Sequence, residues 1–75
     1  MRELSYRNIV DSLNSSSTEE LAECYNADEV GAVNFLRDIT GKTQQTCEWF
    51  LDNNQDMQTI IIDTIAAAIE DMEMA

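Results

Sequence analysis

Carboxylates are the main groups through which this 75-residue chain could do chemistry, because it has fifteen acidic residues, two cysteines and no histidine. Without histidine, a serine or cysteine nucleophile lacks its usual general base, and the common histidine-containing metal sites cannot form. The adjacent acids Glu19–Glu20 and Asp28–Glu29 lie at predicted helix starts, where the helix dipole favours negative charge. We therefore predict a protein that is not an enzyme and binds no cofactor or metal.

Two partial motifs fail on closer inspection. Residues 41–43 read Gly-Lys-Thr, but a phosphate-binding loop needs a glycine where Leu36 stands. Residues 52–63 place carboxylates at the spacing of a calcium loop, but Met57 occupies the position that requires glycine for the sharp turn. Neither segment predicts a ligand site.

The charge distribution is the strongest functional signal. The formal net charge is -11, and no lysine or arginine lies in residues 8–36 or 43–75. Such a field repels nucleic acid and anionic lipid, so we expect no direct binding to either. Two explanations stay open: salt-sensitive docking on a basic protein surface, or solubility alone.

Nine acids and one tryptophan are the candidate partner-binding residues. The acids are Glu19, Glu20, Glu23, Asp28, Glu29, Asp63, Glu70, Asp71 and Glu73. The last three lie at a predicted helix C-terminus, where the macrodipole disfavours them, which indicates either a solvated tail or a patch kept for a basic partner. Trp49 falls off the apolar face of its predicted helix, so it is a candidate binding anchor, with packing in the core as the alternative.

Apolar spacing predicts two helices in the N-terminal third. The inward positions of the first are Tyr6, Ile9, Val10 and Leu13. Ser17 and Glu20 form a capping-box pattern, so a second helix is predicted to start near Thr18. Asn26 and Glu29 repeat that pattern, which predicts a short second helix and a bend, although one longer helix also fits the spacing.

Three further helices complete the prediction. Gly41 after Thr40 indicates a left-handed helix end, and Thr43 is predicted to cap the next helix. The polar stretch 52–56 is predicted to end that helix, with Asp56 as the cap of the last. The predicted inward positions are Ala32, Phe35, Leu36 and Ile39, then Cys47, Phe50 and Leu51, then Met57, Ile60, Ile61, Ile65, Ala68, Ile69 and Met72. We predict an all-α bundle of four to five short helices.

The cysteines and the ends of the chain bear on its location. Cys24 and Cys47 are predicted to be unpaired, small buried hydrophobic residues. No apolar run resembles a signal peptide or a membrane span. We therefore expect a cytoplasmic protein, located in the host cytoplasm if a phage encodes it.

The middle of the chain combines a Thr-Gly helix end, a helix with a cysteine and a Phe-Leu pair, and an Asn-rich turn. The residues are Phe35-Leu36-Arg37-Asp38-Ile39-Thr40-Gly41, Cys47, Phe50-Leu51, Asn53-Asn54 and Asp56. Over residues 30–69 this progression resembles ubiquitin-associated (UBA)-like three-helix domains, including the N-terminal domain of elongation factor Ts. The length of 75 residues indicates a single domain, 1–75. The resemblance implies a three-helix core in 27–75, with an N-terminal helical extension in 1–26.

The same resemblance implies contacts for an adaptor that binds ubiquitin or another protein. They would involve the last helix and the loop Thr40-Gly41-Lys42, which stands where many such domains have a Met-Gly-Phe or Met-Gly-Tyr loop.

Three functions follow as hypotheses. The first is a small acidic inhibitor, of the anti-defence kind that phages and mobile elements encode, that mimics DNA. It would occupy the basic nucleic-acid groove of another protein, with carboxylates in place of phosphates. The second is the UBA-like adaptor. The third is a homo-oligomeric assembly subunit or homodimer that pairs through the last helix, where Ile62, Ala66 and Ala67 widen the apolar face.

Overall fold

A computed structural model describes residues 3–74, and this part of the chain contains five α-helices and no strand. The helices are α1 (Tyr6–Ser15), α2 (Thr18–Cys24), α3 (Glu29–Thr40), α4 (Gln44–Asn53) and α5 (Gln55–Met74). The predicted all-α bundle is confirmed. None of these helices combines the length and the apolar character that crossing a membrane requires.

Local capping fixes most helix boundaries where the sequence predicts them. The hydroxyl of Ser17 accepts a hydrogen bond from the Glu20 N–H at 3.0 Å, and Thr43 accepts one from the Thr46 N–H at 3.2 Å. These bonds satisfy backbone donors that a first helical turn leaves unpaired. Gly41 ends α3 with a φ of 70°, the left-handed conformation that glycine adopts without strain.

The predicted cap at Asn26 is wrong, because Asp28 caps α3. Its carboxylate accepts a hydrogen bond from the Gly31 N–H at 2.8 Å. Helix α2 has already ended at Cys24, so the single longer helix is also excluded. The linker between the helices passes so close to α3 that a Cβ on Gly31 would lie 1.7 Å from the Asn26 carbonyl oxygen. Only glycine fits at that crossing.

The polar stretch 52–56 ends α4, as predicted, but a single residue, Asn54, separates α4 from α5. The Asn54 N–H donates to the Leu51 carbonyl at 3.2 Å, and its own carbonyl accepts from the Met57 N–H at 3.0 Å. One residue thus ends one helix and starts the next. Asp56 therefore lies in the first turn of α5 and is not its cap.

Side chains from all five helices form one hydrophobic core. Its buried members are Ile9, Leu13, Leu21, Ala32, Phe35, Leu36, Cys47, Phe50, Leu51, Met57, Ile61, Ile65 and Ala68. Helix α2 has its most extensive contacts with α5, α4 packs on both α3 and α5, and α1 contacts α3 and α5. The N-terminal helices therefore share the core of the other three.

Several predicted inward positions lie at the surface. Tyr6, Ile60 and Met72 are each about 40% exposed. Helix α5 is twenty residues long, and the shorter helices beside it bury only the narrow stripe that includes Met57 and Ile61. Cys24 is exposed, contrary to prediction, whereas Cys47 is buried, and neither cysteine forms a disulfide.

Candidate protein-binding surfaces

All fifteen carboxylates of the chain are exposed. Helices α2, α4 and α5 contain acidic residues but no lysine or arginine. Because α2 packs along α5, their acids lie on two neighbouring helices. We call these residues the α2–α5 acidic surface: Glu19, Glu20, Glu23, Asp63, Glu70, Asp71 and Glu73.

Helical geometry sets the spacing of these carboxylates. Glu19 and Glu23 are four residues apart, so their Cβ atoms are about 5–6 Å apart on one helix face. Asp63 and Glu70 are seven residues apart, which is about 10 Å along the axis of α5. Leu21 is the side chain of α2 that packs into the core, and it is 4% exposed. The acids of α2 lie on its other faces and are exposed to solvent.

Three predicted site residues lie outside this surface. Asp28 and Glu29 lie at the start of α3, and the Asp28 carboxylate is already bonded to the Gly31 N–H. Asp28 therefore has a structural role as a cap. Trp49 lies on α4 and is 65% exposed, so the alternative that it packs in the core is wrong.

A groove of about 320 Å³ lies between α3 and α4, and the sequence reading missed it. Its apolar lining comes from Val30, Val33 and Leu51, and its acidic lining from Glu29, Glu48 and Asp52. Val30 is 63% exposed, although it is aliphatic. The four-residue spacing of Glu48 and Asp52 was the available signal. Nothing local to either helix, however, shows that α3 and α4 would pack beside each other there. We call this feature the α3–α4 groove.

A second, polar pocket of about 440 Å³ lies at the C-terminal end of α3. The Tyr25 hydroxyl donates a hydrogen bond to Asp38 Oδ2 at 2.6 Å, and the Tyr25 ring packs edge-on against Phe35 with centroids 5.4 Å apart. Burial raises the pKa of Tyr25 well above its ordinary value, and the hydrogen bond to Asp38 adds to the effect. Arg37 and Lys42 also line this pocket, so positive charge collects on this side.

A third polar contact joins α1 to the start of α5. The Tyr6 hydroxyl donates to Asp56 Oδ1 at 2.5 Å and to Asn54 Oδ1 at 3.3 Å. Its hydrogen bond lowers the pKa of Asp56, and the same bond raises the pKa of Tyr6. The contact holds α1 against the junction of α4 and α5.

Residues 3–74 contain no group of three or more side chains placed to hold a metal ion. The chain matches no protein-family model, no curated protein and no solved structure. The resemblance to UBA-like domains stays a prediction. The surfaces described above are therefore the basis for assigning a function.

Proposed function

We propose that this protein is a small, non-enzymatic inhibitor that binds another protein through the α2–α5 acidic surface. The partner is a nucleic-acid-handling protein with a basic surface, and the inhibitor is of the DNA-mimicking, anti-defence type encoded by phages or mobile elements. The observation that carries the proposal is the exposure of every carboxylate, on a chain in which three of five helices have no basic residue.

The mechanism is competition for a basic groove. Carboxylates in rows one helical turn apart present negative charge to lysine and arginine side chains that otherwise hold phosphates. Long-range attraction speeds the encounter, and counterions released from both surfaces make the affinity dependent on salt. A bundle with one shared core holds the backbone of both helices in fixed positions, so little backbone conformational entropy is lost on binding.

Trp49, on α4, offers an apolar contact in addition to the α2–α5 acidic surface. Tryptophan is enriched among the residues that dominate binding energy at interfaces, and burial of its large side chain favours association. Its exposure of 65% leaves it free for this role. Binding is expected to shift Trp49 fluorescence to shorter wavelength, because the indole leaves water.

The test is capture of proteins from a lysate on the immobilised chain, at low salt and at about 0.5 M salt, where screening is strong. The expected result is capture of nucleic-acid-binding proteins that high salt or added duplex DNA releases. The identified partner is then titrated directly, with DNA as the competitor. If neither high salt nor added DNA changes the binding, the proposal is wrong.

Matched charge variants separate a specific surface from bulk charge. E70Q/E73Q removes two charges from the α2–α5 acidic surface, whereas E3Q/D11N removes two exposed charges from the N-terminal region. We expect the first double variant to weaken binding to the identified partner several-fold more than the second. Equal effects would indicate that binding depends on the net charge and not on the α2–α5 acidic surface.

The same capture experiment tests the UBA-like adaptor, and sedimentation tests the homo-oligomeric subunit. Ubiquitinated partners that survive high salt would favour the UBA-like adaptor, whose contacts are chiefly apolar. Self-association in sedimentation at low concentration would favour the homo-oligomeric subunit.

A further inference from the structure

We propose that the α3–α4 groove is a docking site for a basic amphipathic helix of a protein partner, which inserts an aliphatic side chain between flanking lysines or arginines. The inference rests on the proposed function only for the class of partner, a basic protein. It adds a second contact surface, formed mainly by α3 and α4, with Gln58 of α5 also in its lining.

The floor of the groove suits an aliphatic anchor. Leu51 is buried at its base with 1% exposure, while Val30 and Val33 line the wall formed by α3. Val30 lies in the first turn of α3 and is 63% exposed. An inserted aliphatic side chain would remove apolar surface from water on both partners, which favours binding.

The charges of the groove favour a positively charged partner. Glu29 lies on the α3 wall, and Glu48 and Asp52 lie one turn apart on the α4 wall. The described side chains that line the groove include no lysine or arginine. An apolar floor between acidic walls is complementary to an aliphatic residue flanked by cations.

The shape of the groove favours a helix as the occupant. The groove runs between two helices, and its volume of about 320 Å³ lies at the lower end of the range for ligand pockets, which leaves room for inserted side chains. Amphipathic helices bind such grooves through apolar anchors spaced three or four residues apart. Trp49 adjoins Glu48 in α4 and precedes Asp52 by three residues, so an arginine of the docked helix could stack on its exposed ring.

A second copy of this chain does not fit the groove. Each copy has a net charge of -11. A helix of the same chain placed between Glu29, Glu48 and Asp52 would bring like charges together, which costs free energy. The occupant is therefore a segment of another, basic protein.

The test uses the full chain and two synthetic helical peptides of about 15 residues, a length at which alanine-rich helices begin to be stable. The first peptide has two leucines four residues apart, flanked by lysines and arginines. The second has the same charge and length, with glutamine in place of each leucine. Binding at low salt is followed by amide chemical shifts and by Trp49 fluorescence.

We expect the leucine peptide to bind at least about tenfold more tightly, because only it buries aliphatic side chains. Its largest shifts should fall on residues that line the groove. E48Q/D52N should weaken this binding about fivefold, since two exposed charge pairs are lost. The matched control E3Q/D11N removes two exposed charges from the N-terminal region, outside both surfaces, and should leave the affinity nearly unchanged.

Three results would overturn the inference: absence of binding at millimolar peptide, equal affinity for both peptides, or equal effects of the two double variants. Each leaves the proposed function intact, because that function depends on capture by the α2–α5 acidic surface. Conversely, a capture experiment that fails does not affect peptide binding in the groove. The two failures are therefore distinguishable.

Discussion

Substitution of Gly31 by alanine tests the closest backbone contact between two segments of this fold. A Cβ on Gly31 would lie 1.7 Å from the carbonyl oxygen and 2.7 Å from the carbonyl carbon of Asn26. Ordinary contacts between non-bonded carbon atoms are about 3.5–4.0 Å, so the overlap is large. Both obstructing atoms belong to the backbone, and rotation of a side chain cannot relieve it. The linker between α2 and α3 must move for alanine to fit.

The expected magnitude follows from two opposing effects. Forcing an extra methyl group into a packed site costs about 1–3 kcal/mol, and the upper part of that range applies when backbone must shift. Alanine is better than glycine inside a helix by about 1 kcal/mol. We therefore expect Gly31→Ala to lower the free energy of unfolding by about 1–2 kcal/mol. For a domain of this size the midpoint of thermal unfolding should fall by about 5–15 °C.

The assay is urea denaturation followed by circular dichroism, with thermal unfolding as a second measurement. Asn34→Ala is the control, because Asn34 is exposed on the same helix one turn further on. It should leave stability unchanged or raise it slightly through helix propensity. If Gly31→Ala is as stable as the control, the linker does not cross α3 at this distance, and the explanation given for this glycine is wrong.

Three further predictions concern caps and titrating groups. Asp28→Ala should lower the free energy of unfolding by about 1 kcal/mol in urea titrations because it removes a helix cap, whereas Asn26→Ala should have little effect; similar losses for both would contradict the assigned cap. Tyr25 and Tyr6 have raised pKa values, so absorbance at 295 nm should show less phenolate in the folded protein at pH 10 than in the urea-unfolded protein at the same pH. Stability should decline as the pH rises above 10. Equal titration of the folded and unfolded protein would refute this. The lowered pKa of Asp56 contributes stability that is lost as the pH falls through that value. Tyr6→Phe should therefore raise the Asp56 pKa in an NMR titration, and an unchanged value would mean that the hydroxyl does not set it.

Most helix boundaries could be predicted from the sequence because their causes lie within one helical turn. Ser17 and Thr43 cap helices through bonds to residues three positions ahead, and Gly41 ends a helix through its own backbone conformation. The three- and four-residue spacing of apolar residues indicates the all-α class in the same local way. The charge of -11 and the lack of histidine are properties of composition alone, so the proposed class of partner also follows from the sequence.

The tertiary structure decided what depends on residues far apart in the chain. Asn26 and Asp28 are both good caps by residue type. In the folded chain Asp28 is the cap, while Asn26 lies in the linker where it crosses Gly31. The bond between Tyr6 and Asp56 joins residues fifty positions apart, which no spacing rule detects. The α3–α4 groove exists only because two helices pack side by side and leave their facing side chains partly uncovered. Periodicity gives the face that each helix can bury, but only its neighbours determine how much of that face they cover.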